Sequence, residues 1–415
     1  YLKRIWFSNG IHHHYATKKM DPGFSSAYFS ELVAGSDQVG FPVGEGQSVD
    51  QLVEHLTPII FDPSVDAKRV NKDPNADPIA ESANNFYDGV TLDQVKEFYA
   101  AMKVEGDETP ISYGLNSQVV IGENGLEERV WKVGGMYTSA IEQVVYWLKL
   151  ASGVTENANQ KKALDLLIEY YETGDLRKFD DYCIAWVADT GSRVDVVNGF
   201  IEVYGDAIGY RGAYESVVSI KDLEATKRIK AISDEAQWFE DNSSIMDEHK
   251  KEKVVGISAK VITVVTESGD ASPSTPIGIN LPNANWIRST YGSKSVNLGN
   301  IVYAYNQSKK SGGMLEEFAF SDEEIARTKK YAALAGDLHT DMHEVIGHAS
   351  GKINEGIGSP KETLPGYSSC LEEARADLVA LYYLLNPKLV EIGVMETTDV
   401  GKAEYDSYIR NGMMQ

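Results

Sequence analysis

The chain has 415 residues, 42 % hydrophobic and 24 % charged, the balance of an ordinary folded protein and long enough for two to three domains of roughly 100–200 residues. A formal net charge of −23 argues against nucleic acid or an anionic membrane surface as a partner, because the field of the whole chain repels polyanions. Two cysteines, Cys183 and Cys370, are too few for a disulfide framework, no apolar run approaches the ~20 residues of a membrane span, and the opening YLKRIWFSNG has no signal-peptide core, so a soluble cytoplasmic protein is expected.

Residues 1–135 are rich in Gly, Pro, Asp and Asn and read as a loop-rich region with short helices, one at SVDQLVEHL and one at TLDQVKEFYAAM. In 136–197, apolar residues recur at three- and four-residue steps through MYTSAIEQVVYWLKL, NQKKALDLLIEYYETGD and LRKFDDYCIAWVADT, which predicts a block of three amphipathic helices. Residues 198–300 read as a mixed α/β section. There KVVGISAKVITVVT at 253–266 is β-branched, partly alternating and followed by ESGDASPSTP, a strand running into a loop. Residues 301–415 read as mainly helical: Ser321 followed by Glu324 has the spacing of a capping box, and EEIARTKKYAALAGDLHTDMHEVIGH continues with helical character.

The chemistry lies in DMHEVIGHAS, residues 341–350. The familiar zinc-helix pattern H-E-x-x-H sets its histidines about 40° apart around the helix axis. His343 and His348 are one residue further apart, about 140° on a regular α-helix, which turns the imidazoles away from each other. A one-residue bulge absorbs the excess and Gly347 relieves crowding there, so the helix is expected to leave α geometry between the two histidines. A zinc peptidase needs three protein ligands, an open position for water, and a carboxylate to take that water's proton. His343 and His348 supply two ligands, and Glu344 is the natural general base. The third ligand is sought in SSCLEEARADLVALYYLL, where Glu372, Glu373 and Asp377 lie in a helical pattern and the apolar run predicts a buried helix. Glu373 and Asp377 share a face as an i, i+4 pair, one to bind metal and the other to hold a histidine's free N–H. His339 and His343, the conventional i, i+4 pair, form a competing ligand set.

HEVIGH followed by EEARAD resembles the two hallmarks of the dipeptidyl peptidase III family, H-E-x-x-G-H and E-E-x-R-[AK]-[DE]. WFSNGIHHHY at 6–15, FIEVYGDAIGYRGAYES at 200–216 and GINLPNANWIR at 278–288 are similar to further segments of that family, in order. The resemblance implies an α+β, two-lobed fold: a mainly helical lobe bearing one zinc ion, a mixed α/β lobe with a β-barrel, and a substrate cleft between them. It implies His343, His348 and Glu373 as zinc ligands, Glu344 as catalytic base, and Glu372 and Asp377 as acids flanking the ligands. It further implies Tyr204 as the tyrosine that steadies the tetrahedral intermediate, and Glu202, Glu215, Asn280 and Asn283 as residues that bind the substrate. The implied activity is release of dipeptides from the N-termini of short peptides. HHHY at 12–15 falls inside a matching segment and reads as structural or as cleft rim.

The residue types suit that work. Counting two residues from a free amine needs acceptors for an ammonium at a fixed distance from the metal, and carboxylates with amide oxygens provide them. Family members also carry a histidine and basic residues downstream of the zinc motifs, and sequence ahead of WFSNG; no histidine follows His348 here. The chain is therefore expected to be a fragment of a longer enzyme. The alternatives are a non-catalytic zinc- and peptide-binding fragment and an endopeptidase of the gluzincin type.

Overall fold

The two apolar patterns nearest the N-terminus become helices opened by their own side chains. Helices α1 (Val49–Phe61) and α2 (Leu92–Met102) each begin with a reciprocal capping box, Ser48 with Gln51 and Thr91 with Gln94. The structure is a computed structural model and describes residues 1–254, 259–273, 275–309, 313–357, 363–364 and 367–414. The chain divides into two compact units. The first comprises Tyr1–Val218, Thr266–Thr275 and Pro282–Gly292, and the second Ser219–Val265, Pro276–Leu281 and Ser293–Gln415.

In the first unit a hairpin follows α2 that no sequence pattern announced. Strand β1 (Tyr87–Asp88) lies parallel to β2 (Ser117–Gly122), and β2 turns through Glu123 and Asn124 into antiparallel β3 (Gly125–Val130). Ser117 and Gln118 are buried on β2 together with Val119 and Val120, so no apolar alternation marks it. The three predicted amphipathic helices are α3 (Thr138–Ser152), α4 (Ala158–Thr173) and α5 (Leu176–Ala188), with Val145, Leu148, Leu167 and Tyr171 buried among them. Strand β4 (Val194–Glu202) lies in this unit and neighbours β5 (Ala213–Lys221), which belongs to it as far as Val218.

The second unit is built on helices α6 (Leu223–Asp234), α7 (Asp322–Met342), α8 (Ser368–Leu384) and α9 (Asp399–Met414). The strand expected at 253–266 is β6 (Ala259–Gly269); residues 255–258 of that expectation lie outside the described residues. Strand β6 pairs in parallel with β8 (Lys294–Leu298), from Ala259↔Ser295 to Ile262↔Leu298. Strand β7 (Gly278–Leu281) runs antiparallel to β8 from Gly278↔Asn297 to Leu281↔Lys294.

The core of this unit gathers Ile229 and Ile232 from α6, Leu338 and Met342 from α7, Tyr383 and Leu384 from α8, and Val400 and Ala403 from α9. Burying each large aliphatic side chain contributes about 1.5–3 kcal/mol, so these helices are held chiefly by one shared interior. Helix α8 is amphipathic rather than buried throughout. Ala376, Ala380, Tyr383 and Leu384 face inward, while Leu378 and Tyr382 are 67 % and 50 % exposed, because α7 and α9 cover one side of it only.

Ser321 caps α7 by accepting from Glu324 N–H at 3.3 Å. The Glu324 carboxylate reaches back one residue further than a capping box requires, to Phe320 N–H at 2.8 Å. Past Met342 the α-helix stops. His343–Gly347 form a π turn in which His348 N–H donates to the His343 carbonyl at 3.0 Å. The expected departure from α geometry therefore lies between the two histidines. Val345 and Ile346 of the turn are buried in the core, so packing holds the wide turn in place.

Candidate metal centre

The π turn brings the His343 and His348 rings to 4.8 Å between centroids, and the ligand atoms of His343, Glu344 and His348 lie within 4.8 Å of one another. Each imidazole is oriented from behind by an acid on α8. His343 Nδ1 meets Asp377 Oδ1 at 2.7 Å, and His348 Nδ1 meets Glu372 Oε1 at 2.8 Å. With the proton on Nδ1 donated to a carboxylate, each Nε2 presents a lone pair.

Both lone pairs meet the same oxygen. Glu373 Oε2 is 3.1 Å from His343 Nε2 and 3.9 Å from His348 Nε2. Two imidazole acceptors converging on a carboxylate oxygen form an electron-rich pocket completed by a proton or a cation, and two nitrogens with one carboxylate is a donor set that suits a divalent ion of the zinc type. The three acids of EEARAD face different nitrogens. Glu373 faces Nε2, while Glu372 and Asp377 face Nδ1.

The supporting acids are themselves held. Arg375 grips Glu372 with two nitrogens, at 3.0 and 2.6 Å, and a third reaches the Ser350 carbonyl and hydroxyl just beyond His348. Burial works against the Glu372 charge, but the bonds from Arg375 and His348 outweigh it and its pKa is lowered. Asp377 follows the same logic: burial raises its pKa, and the bonds from His343 and Tyr408 bring it below the usual value. Both carboxyls stay ionised and so keep the histidine protons on Nδ1.

His339 belongs elsewhere in the arrangement. Its Nδ1 meets Glu404 Oε1 on α9 at 2.8 Å, and its Nε2 lies 3.4 Å from Asp377 Oδ1, the oxygen that takes His343 Nδ1, so it stands on the side of His343 opposite the Nε2 that meets Glu373. The reason is local: α7 is regular through Met342, and the ring at 339 is turned toward α9.

The residues for which the family resemblance implies substrate contact lie in the first unit, with one exception. Glu202 ends β4, and its Oε1 accepts from Asn283 Nδ2 at 3.1 Å. Asn280 is exposed on β7 in the second unit. Tyr204 follows β4 and is 72 % exposed; the charge of Glu202, then burial, then Glu215, raises the pKa of its phenol and keeps it a donor. Glu215 on β5 is pushed up to about 8, first by burial and then by the charges of Glu202, Asp270 and Glu267. Glu267 and Asp270 were not singled out in the sequence. Gly269 brings them close, for its φ of +68° and its approach to the Tyr214 carbonyl leave no room for a side chain. Arg375 was legible as the i+3 neighbour of Glu372, whereas nothing local marked Tyr408 or Glu404. Of the HHHY run, His12 is buried with Nε2 2.7 Å from the Asp66 carbonyl, and His13 stacks on His14. Among the described residues no helix is long and apolar enough to cross a membrane.

Comparison with known proteins bears on the fold and the family. The dipeptidyl peptidase 3 of Rattus norvegicus is 26 % identical over 304 residues, 66 % of this chain and 40 % of that protein. The dipeptidyl peptidase 3 of Dictyostelium discoideum is 28 % identical over 308 residues, 67 % of this chain and 43 % of that one. The match thus spans about two fifths of the length of these curated relatives. The solved structure of DPP III from Caldithrix abyssi superposes with a TM-score of 0.65 at 22 % identity, over 93 % of this chain and 70 % of that one, and shares its fold. Residues 116–359 match the profile of peptidase family M49, a segment that holds HEVIGH. The chain belongs to peptidase family M49, the dipeptidyl peptidase III family.

Proposed function

We propose that the protein is a zinc-dependent dipeptidyl peptidase in which His343, His348 and Glu373 hold the metal and Glu344 is the catalytic base. The observation that carries this reading is the convergence of both Nε2 atoms on Glu373 Oε2 while both Nδ1 atoms are tied to acids. His343, His348 and Glu373 would hold the zinc ion, which would supply Lewis acidity toward a bound water and the peptide carbonyl. Glu344, next to His343 in sequence and with its carboxylate within 4.8 Å of the ligand atoms of His343 and His348, takes the proton of the attacking water and returns it to the leaving amine. Asp377 and Glu372 keep the imidazoles oriented throughout. Tyr204, a donor across the neutral range, hydrogen-bonds the oxygen of the carbonyl under attack.

Glu202, Glu215, Asn280 and Asn283 receive the substrate's N-terminal end. The bond from Asn283 to Glu202 fixes one acceptor for an ammonium, and the acids around Glu215 supply a negative field that favours a free amine over a blocked one. Short peptides with an unblocked N-terminus are therefore the substrate class. The test is product analysis by mass spectrometry on a defined hexapeptide with zinc supplied. Stepwise loss of dipeptides, abolished by acetylating the amine, is expected. Internal cleavage that ignores acetylation would instead indicate an endopeptidase, and zinc binding without turnover a binding fragment.

A further inference from the structure

The wiring behind His343 extends beyond both motifs to the C-terminal helix. Asp377 is held from more than one side. Its Oδ1 accepts from His343 Nδ1 at 2.7 Å, its Oδ2 accepts from the Tyr408 hydroxyl at 3.0 Å, and His339 Nε2 stands 3.4 Å from Oδ1. His339 is in turn fixed by Glu404 at 2.8 Å. Tyr408 and Glu404 are an i, i+4 pair on α9, so one face of that helix carries both contacts.

Helix α9 is docked firmly enough to serve as a reference. Val400 and Ala403 are buried, and Gly401 lies so close to the Leu384 carbonyl that no side chain fits. Arg327 binds Asp406 at 2.8 Å and Arg410 binds Glu324, pinning α9 to α7 along its length. A carboxylate with one oxygen on a histidine and the other free can turn about its terminal torsion, which is broad and roughly two-fold. With both oxygens engaged it cannot turn without losing a bond.

We propose that Tyr408, with the His339–Glu404 pair, positions the metal-binding imidazole of His343 through Asp377, so that α9 is a working part of the metal centre. This rests on the reading of His343, His348 and Glu373 as ligands. Tyr408 touches neither metal nor substrate in this scheme; it is a positioning residue. Its hydroxyl determines the Asp377 rotamer, and Asp377 determines where His343 Nε2 points.

The test is the zinc dissociation constant, read by competition with a chromophoric chelator, beside the thermal midpoint of the metal-free protein. Tyr408→Phe removes one oxygen from a partly exposed side chain and is expected to weaken zinc binding about 10-fold, the lower end of what loss of a ligand's supporting partner does, with the metal-free midpoint unchanged. Glu404→Gln should move the constant in the same direction, and Ile409→Ala, an exposed neighbour on α9, should leave it alone. Unchanged zinc affinity in both Tyr408→Phe and Glu404→Gln overturns the proposal. So does a loss of affinity matched by an equal loss of metal-free stability, since that is the signature of helix docking alone. A parent protein that binds no zinc overturns the ligand reading itself, which separates the two failures.

Discussion

Gly347 lies against Ala376 so closely that a Cβ on it would stand 2.8 Å from the Ala376 Cα, Cβ and carbonyl oxygen. The π turn and helix α8 therefore meet backbone to backbone, and the glycine is required for room, not for an unusual φ. Because α8 carries Glu372, Glu373 and Asp377, this contact sets the distance from the acids to the histidines.

Gly347→Ala should consequently destabilise the protein by about 1–3 kcal/mol, the usual cost of overpacking a close contact, and should weaken metal binding as well. Gly336, in the middle of α7 with nothing within 4 Å of its would-be Cβ, is the matched control. Gly336→Ala should stabilise by about 0.5–1 kcal/mol through helix propensity. Chemical denaturation of both variants checks the contrast, and equal behaviour would remove the close-packing account.

Glu344→Gln preserves shape while removing the base. Zinc content should match the parent protein, and dipeptide release should fall by about 10²–10⁴-fold, the range of a lost general base. Metal analysis with a turnover assay decides it; retained turnover refutes the role given to Glu344.

Asp377→Asn and Glu372→Gln each replace an ionised partner of a histidine Nδ1 by a neutral amide. Zinc affinity should fall about 10- to 100-fold in each, with secondary structure intact by circular dichroism. Affinity equal to the parent's would mean that the imidazoles orient themselves.

Tyr204→Phe removes the phenolic donor and leaves the ring. If the hydroxyl serves the carbonyl oxygen only as charge develops, kcat should drop by about 10²–10³ with KM little changed. A variant that raises KM alone would make Tyr204 a binding residue.

Glu215 yields a pH prediction with a definite sign. Its carboxyl is raised from 4.5 to about 8, so between those values the folded protein holds a proton that the unfolded chain has released. Its contribution to stability is therefore best at low pH and declines as pH rises through that window. Glu215→Gln should gain on the parent protein progressively from pH 5 to pH 8, read as the difference in thermal midpoint. An ammonium bound nearby favours the charged carboxylate, so an unblocked dipeptide binding at pH 7 should release protons, seen calorimetrically as a dependence on the buffer's ionisation enthalpy. A midpoint difference constant with pH contradicts the assignment.

Much of this protein was legible in its residues. The capping boxes at Ser48 and Thr91, the three amphipathic helices and the extra residue between His343 and His348 are local signals, and local signals survive folding because hydrogen bonds within a few residues enforce them. The hairpin at 117–130 was not legible, because its inner strand buries Ser117 and Gln118 beside valines and imitates no apolar period. The order of the three acids in EEARAD was open for a similar reason. Helical spacing gives the face each side chain occupies, but which nitrogen of which histidine it meets depends on how α8 packs on the π turn, and that is decided by Gly347 against Ala376. Tyr408 lies furthest from anything the sequence could indicate. Its hydroxyl reaches an acid 31 residues away only because buried Val400 and Ala403 and the Arg327–Asp406 pair dock α9 beside α7, a tertiary placement that no local pattern encodes.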